Sequence, residues 1–110
     1  MTWKSKHLTS DEFDFYYPVK FALVKETQKA IRIKIDGTVK RLYISSKNNQ
    51  YKPFIVEGIC IWIPKSVVRN FDPKSAYIWK KLLMNNVDKE MEKKIRFELG
   101  LDKEEPLRVI

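Results

Sequence analysis

A run in which isoleucine alternates with a basic residue, in the first half of the chain, limits the fold more than any other feature. Residues 31–35 read Ile-Arg-Ile-Lys-Ile, which is the period of two that a half-buried β-strand shows. Asp36-Gly37 follows at once, and this dipeptide favours the tight turn of a β-hairpin. The sequence therefore predicts a hairpin in which residues 31–35 pair with residues 39–44.

Further strands are predicted around this hairpin. Val19 to Lys25 alternates after Pro18, and Phe54 to Val56 and Ile59 to Ile63 are apolar runs separated by Gly58. A short helical turn is predicted where the Thr-x-x-Glu spacing of residues 9–12 can form a capping box. Residues 107–110 are apolar enough for a late edge strand.

Two helices are predicted in the last third of the chain. Asp72-Pro73 is a good helix start, and Asn85-Asn86 interrupts the helical pattern after about Met84. A second helix from Asp88 is predicted to end at the C-cap Gly100. Its apolar stripe, at intervals of four residues, consists of Val87, Met91, Ile95 and Leu99.

The length of 110 residues fits one domain with a substantial core. We expect an α+β fold: a small, curved antiparallel β-sheet or partial barrel of about five strands, followed by two C-terminal helices. Residues 1–71 would be mainly β with a short N-terminal segment, residues 72–101 helical and residues 102–110 a tail.

Positive charge is concentrated in and after the predicted hairpin. Residues 26–53 carry a net charge of +5 out of the chain's +8. A basic segment of this kind points to a polyanionic partner, most plausibly nucleic acid.

The predicted hairpin brings cations together on one face. A two-residue turn at Asp36-Gly37 places Arg32 directly opposite Arg41. Lys34 and Tyr43 then share their face. Two opposed arginines repel at a cost of a few tenths to about 1 kcal/mol, and an anion between them would reverse this effect. Arginine can bind phosphate bidentately and tyrosine can stack on a base.

The polar loop of residues 45–53 extends the same surface. Its lysines and tyrosine are of the kind that contact phosphates and bases, although a basic face or loop can also be merely solvated. The predicted binding residues are Lys29, Arg32, Lys34, Arg41, Tyr43, Lys47, Tyr51 and Lys52.

The three tryptophans differ in their sequence context. Trp62 lies in an apolar strand before proline, so it is predicted to be core beneath the helices, with a base-stacking role as the alternative. Trp79 is likewise predicted to be core. Trp3 lies among polar residues and is either disordered or an anchor for a partner.

No residue pattern predicts catalysis, a metal site or a cofactor. The chain has one histidine, His7, and one cysteine, Cys60, which is too few for a Cys/His centre. Its three glycines are too far apart for a phosphate-binding loop. A lone cysteine and the absence of an apolar leader favour the cytoplasm, without a membrane segment.

One motif resembles a group of known proteins. Trp62 to Ser66, with Lys29-Ala30-Ile31 and Asp36-Gly37, is similar to elements of small, poorly characterised proteins encoded by phages and other mobile elements. The resemblance covers about a third of the chain. It implies a viral or mobile-element origin and supplies no activity or site residues.

Two functions from different classes remain open. The first is a small basic protein that binds nucleic acid, DNA or RNA, with single strands slightly favoured because tyrosine and arginine are interleaved. The second is a virus-encoded inhibitor or adaptor, of the anti-CRISPR or host-takeover kind, that docks its basic face on an acidic host protein. A homodimer through the last helix is also possible.

Overall fold

The computed structural model describes residues 3–45 and 50–110. In chain order the strands and helix are β1 (Tyr16–Glu26), β2 (Ala30–Ile35), β3 (Thr38–Ser45), β4 (Tyr51–Glu57), β5 (Cys60–Pro64), β6 (Val68–Asp72), β7 (Ser75–Trp79), α1 (Lys80–Leu99) and β8 (Leu107–Val109). Short 3-10 turns span Ser10–Glu12 and Lys65–Val67. A five-stranded large sheet has the order β5-β2-β1-β7-β6, and a three-stranded small sheet has the order β4-β3-β8.

The predicted fold class is wrong. We expected one curved sheet or partial barrel of about five strands followed by two helices. The described residues instead form eight strands in two antiparallel sheets, with a single α-helix. The late edge strand is confirmed, because β8 pairs with β3 through Tyr43 opposite Val109.

The large sheet has one buried face and one face towards solvent. Side chains alternate along its strands, so the isoleucines of β2 and β5 point to the same side as Val19 and Phe21 of β1. Helix α1 covers this side with Leu83, Val87 and Met91. The buried side chains of the sheet are Val19, Phe21, Ile31, Ile33, Ile61, Ile63, Val68, Ala76 and Ile78.

Two glycines mark the place where the chain passes between the sheets. Gly37 lies between β2 and β3, and Gly58 lies between β4 and β5. Both have positive φ, 97° and 66°, which glycine adopts without the penalty of a Cβ. The Gly58 N–H donates to the Gly37 carbonyl at 3.0 Å, so the outgoing and returning chains are bonded at this junction.

The predicted hairpin does not form, and its failure has a clear cause. Strand β2 already has β1 and β5 as neighbours, so neither of its edges is free for β3. The Asp36 N–H donates to the Lys20 carbonyl of β1 rather than closing a turn. Asp36-Gly37 is therefore a bend that carries the chain into the small sheet, where β3 pairs with β4 and β8.

One long helix replaces the two that were predicted. Asp72-Pro73 forms a tight turn between β6 and β7, in which the Asp72 carboxylate accepts from the Lys74 N–H at 3.0 Å. The helix begins at Lys80 and runs through Asn85-Asn86 without a break. Asn86 is tolerated there because its side chain donates to the Trp62 carbonyl at 3.0 Å.

The rest of the helix follows the sequence pattern. Val87, Met91 and Ile95 are buried, as the predicted stripe requires, whereas Leu99 is 38% exposed. Gly100 has φ 66° and caps the helix, which confirms the predicted C-cap. Arg96 holds the chain that follows by donating to the carbonyls of Asp102 and Glu105.

The N-terminal segment is attached along strand β6. The Lys6 carbonyl accepts from the Asn70 N–H, and the Ser5 hydroxyl accepts from the Phe71 N–H at 2.7 Å. Trp3 packs on Phe71 with ring centroids 4.6 Å apart, so it is neither disordered nor free to anchor a partner.

The Ser10–Glu12 turn is held to the same strand by an ion pair. The predicted capping box is present, and the Glu12 carboxylate accepts the Thr9 N–H at 3.1 Å. Arg69 of β6 donates to the same carboxylate, with Nη2 3.1 Å from Oε2. The hydrogen bond from Thr9 is the main cause of a lowered Glu12 pKa, and the bond from Arg69 comes next.

This attachment should depend on pH. Because the pKa of Glu12 is lowered by folding, its stabilisation is fully present above the ordinary value of 4.5 and is lost as the pH falls through the folded pKa. We expect Glu12→Gln to lower the melting temperature near neutral pH, and this difference to vanish in acid. Thermal melts across pH would measure it. Asp11→Asn is the control, and an equal effect there would contradict the assignment.

Candidate functional site

The solvent-facing side of the large sheet gathers cations from separate parts of the sequence. Lys20 and Lys25 come from β1, and Arg32 and Lys34 from β2. All four lie on the opposite side from the buried isoleucines and are exposed. We call these residues, together with Trp62 of β5, the cationic face.

No carboxylate lies on this side of β5, β2, β1 or β7, strands that the structure describes completely. Glu26, the acidic residue of β1, is opposite Ile31 and therefore on the buried side. There it forms an ion pair with Lys65. The positive charge of the cationic face is thus not neutralised within these four strands.

Two of the cations are directly opposed across strands. Lys25 pairs in register with Arg32, after a bulge that displaces Val24. Opposed like charges on a sheet are about 5 Å apart at their Cβ atoms and destabilise the pair by a few tenths to about 1 kcal/mol. An anion bound between the two side chains would convert this repulsion into attraction.

Trp62 is on this face and is not core, so that prediction is wrong. It is 40% exposed and lies opposite Arg32 on the neighbouring strand. Ile61 and Ile63, on either side of it, are turned into the core, which forces Trp62 outwards. Trp79, also predicted to be core, is 37% exposed on the same side of β7.

Lys34 lies over the glycine junction, the point at which Gly37 and Gly58 carry the chain between the two sheets. A Cβ on Gly58 would clash with the Lys34 Cε, so the lysine stem lies directly on the glycine backbone. Lys34 and Gly58 line a small depression with Asp36 and Glu57. Gly58 therefore allows both the bend in the chain and the placement of this cation.

Arg41 and Tyr43 do not join Arg32, contrary to the prediction. Arg41 lies opposite Phe54 in the small sheet, and its Nε donates to the Asp88 carboxylate at 2.8 Å. It lines an apolar cleft of about 620 Å³ between the sheets and the start of α1. Tyr43 is buried, with its ring edge-on to that of Phe54.

The remaining predicted binding residues are dispersed. Lys29 is exposed between β1 and β2, near the end of the cationic face. Tyr51 and Lys52 belong to strand β4 rather than to a loop, and they point to opposite sides of the small sheet. Lys47 lies outside the described residues.

Two of the four cations on this face were predicted from the sequence. Arg32 and Lys34 were predicted, whereas Lys20 and Lys25 were not. The signal for Lys20 was available, because it alternates with Val19 and Phe21 in a predicted strand. The adjacency of β1, β2 and β5 was not available, since it depends on pairing between distant segments.

Metal ligands and membrane-spanning helices were searched for among the described residues. No group of three or more His, Cys, Asp or Glu side chains among them is placed to hold a metal ion. None of the helices in the part of the chain that is described combines the length and apolar character needed to cross a membrane.

Comparison with known proteins adds no relative. No family model, curated protein or solved structure matches this chain.

Proposed function

We propose that the chain binds single-stranded nucleic acid through the cationic face. The observation that carries this proposal is the composition of that side of the sheet: within β5, β2, β1 and β7 every charged side chain on it is a cation, and an exposed tryptophan lies beside Arg32 on the edge strand β5. Proteins usually bind single strands through a positive surface that follows the sugar-phosphate backbone and an aromatic side chain on which a base can stack.

The cations would contact phosphates. Arg32 has a planar guanidinium that can hold a phosphate through two hydrogen bonds, and Lys25 lies directly across from it. A phosphate between them would relieve the repulsion that the free protein bears. Lys20 and Lys34 would extend the contact to neighbouring phosphates along the strand.

Trp62 would supply the base contact. It lies beside Arg32 in register, so a nucleotide whose phosphate reaches Arg32 can place its base against the indole ring. The bases of a duplex are already stacked inside the helix and cannot reach such a platform. This difference favours single strands over duplexes.

The proposal predicts binding that weakens steeply with salt. With about four phosphate contacts, the slope of log affinity against log salt for a single strand should be about −3. Affinity would then fall roughly 50-fold between about 50 mM and about 200 mM salt. Fluorescence anisotropy with a labelled dodecamer measures this directly. A folded protein that shows no binding at low salt would refute the proposal.

Two further arms of this experiment locate the contact. Trp62→Leu should weaken binding by about 1–3 kcal/mol because one stacked base is lost, while the salt slope stays the same. Trp79→Leu is the matched control, since Trp79 is about equally exposed but further from Arg32. A duplex of the same sequence should bind less tightly than the single strand.

A protein partner is the second candidate. The same cations would suit an acidic host protein, as expected of a virus-encoded inhibitor or adaptor. Failure of oligonucleotide binding at low salt would favour this second function. The viral or mobile-element origin implied by the Trp62–Ser66 motif stays a prediction.

A further inference from the structure

The cleft that Arg41 lines exists because strand β2 leaves the large sheet before it reaches the start of β1. β2 pairs with residues 21–26 of β1 and ends at Ile35. Residues 16–20 of β1 pair with β7 on the other edge, and no described strand pairs with them on the edge that β2 has left. Pro18 suits this stretch, because proline has no N–H to leave without a partner. A gap therefore remains between β1, the small sheet and the start of α1.

The interior of the cleft is apolar. Its walls come from β1, β2, β3 and one side of α1. Tyr17 and Met84 line it and remain 55% and 49% exposed, so apolar surface is left uncovered inside a concave region. Uncovered apolar surface of this shape is typical of ligand sites. The other apolar lining residues are Val19, Ile35, Val39, Leu83 and Val87.

Every charged side chain that lines the cleft is a cation. These residues are Lys40, Arg41 and Lys80, and the described lining contains no carboxylate. The Lys80 Nζ donates to the backbone carbonyl of Asp14 at 2.8 Å and forms no ion pair with a described residue. A surface that combines apolar walls with unbalanced positive charge favours an anion with an apolar body.

Arg41 is fixed in place at the side of the cleft. Its Nε donates to the Asp88 carboxylate at 2.8 Å, and its Nη1 donates to the Lys40 carbonyl at 3.0 Å. Asp88 balances the charge of Arg41, so the surplus charge of the cleft comes from the two lysines. The guanidinium carries more N–H donors than these two bonds use, and the remaining donors can bind a ligand. Its side chain is 17% exposed, which limits the screening of such a bond by salt.

We propose that the cleft binds a small amphipathic anion, an alkyl carboxylate of the fatty-acid type, with its carboxylate on Arg41 and its chain among the apolar side chains. The volume of about 620 Å³ is within the usual range of small-molecule sites. The chain of such a ligand would cover Tyr17 and Met84. The cleft is on the buried side of β1 with Val19, whereas Lys20 of the cationic face is on the other side. The two proposed sites therefore use different surfaces.

NMR titration of the isotope-labelled full chain with decanoate and with decanol, both below their solubility limits, tests the proposal. We expect decanoate to shift the amide signals of the lining residues. It should bind about tenfold more tightly than decanol, because only decanoate offers Arg41 a charged acceptor. Equal affinity for the two compounds would overturn the assignment of an anion. A folded protein that binds neither would overturn the proposal and leave the cleft to a segment of a partner protein.

A matched pair of charge substitutions tests the location. Met84→Glu adds a carboxylate to the cleft at an exposed position of α1, and it should weaken decanoate binding about tenfold or more. Decanol binding should weaken less, because decanol carries no charge. Phe97→Glu is the control: Phe97 is 87% exposed on the same helix, outside the cleft, and the change in net charge is the same. Equal losses of decanoate binding in the two variants would overturn the location.

Arg41→Gln tests the contact with the carboxylate. Because Arg41 also binds Asp88, the two compounds are compared within the same variant, so that any change in folding affects both alike. We expect the preference for decanoate over decanol to fall from about tenfold to about twofold, while decanol binds as before. An unchanged preference would overturn the assigned position of the carboxylate.

Discussion

Lys25→Glu combined with Arg32→Glu is expected to reduce oligonucleotide affinity about 100-fold or more at low salt. The two substitutions replace an opposed pair of cations on the cationic face by an opposed pair of anions. Phosphate contacts supply most of the affinity of such surfaces, so the loss extends beyond the two contacts removed. Fluorescence anisotropy against the unmodified protein measures the change.

The control for this double variant must change the net charge of the protein by the same amount. Lys89→Glu combined with Lys93→Glu places the same change on exposed positions of α1, and both double variants lower the net charge from +8 to +4. A long-range effect of net charge would weaken binding equally in the two. We expect only a modest decrease in the helix variant. Equal losses would mean that the protein attracts nucleic acid without using the cationic face.

Ile33→Ala and Arg32→Gln are expected to differ sharply in their effect on the free energy of unfolding, although the two residues are adjacent. Ile33 is fully buried under α1, and truncating it should lower the free energy of unfolding by about 2–5 kcal/mol. That is a large share of the total for a small domain. Arg32→Gln should leave stability unchanged or slightly raised, within about 0.5 kcal/mol, because it relieves repulsion by Lys25.

Urea unfolding of both variants, with oligonucleotide binding measured in parallel, checks this contrast. Arg32→Gln should bind more weakly while folding normally. A marked loss of stability in Arg32→Gln would show that the guanidinium supports the fold. The two sides of β2 would then have been assigned wrongly.

The sequence predicts which side of β2 and of α1 is buried, although it places a helix over residues 75–79 where strand β7 lies. The alternation in residues 31–35 indicated a strand with one buried side, and Ile31 and Ile33 are indeed buried. The four-residue spacing of Val87, Met91 and Ile95 indicated a buried helix face, which is also present. These patterns depend on the repeat of a single element, so neighbours in sequence are sufficient to reveal them.

Strand pairing was not predictable in the same way. Asp36-Gly37 allows a hairpin but does not require one, and here β1 and β5 occupy both edges of β2. β5 is separated from β2 by the whole of β3 and β4, so its place depends on tertiary packing. The consequence for the site is direct: Arg41 was assigned to the wrong sheet, and Trp62 was not recognised as a neighbour of Arg32.

The glycine junction makes the segment between Gly37 and Gly58 an insertion in the large sheet. The chain leaves after β2 and returns as β5, and the Ile35 N–H donates to the Ile59 carbonyl at 2.8 Å, so the two ends are already adjacent. Closing a loop costs free energy that grows only slowly with its length. We therefore expect that the connection between β3 and β4 can change in length while the large sheet keeps its strand order, provided that β3 still pairs with β8.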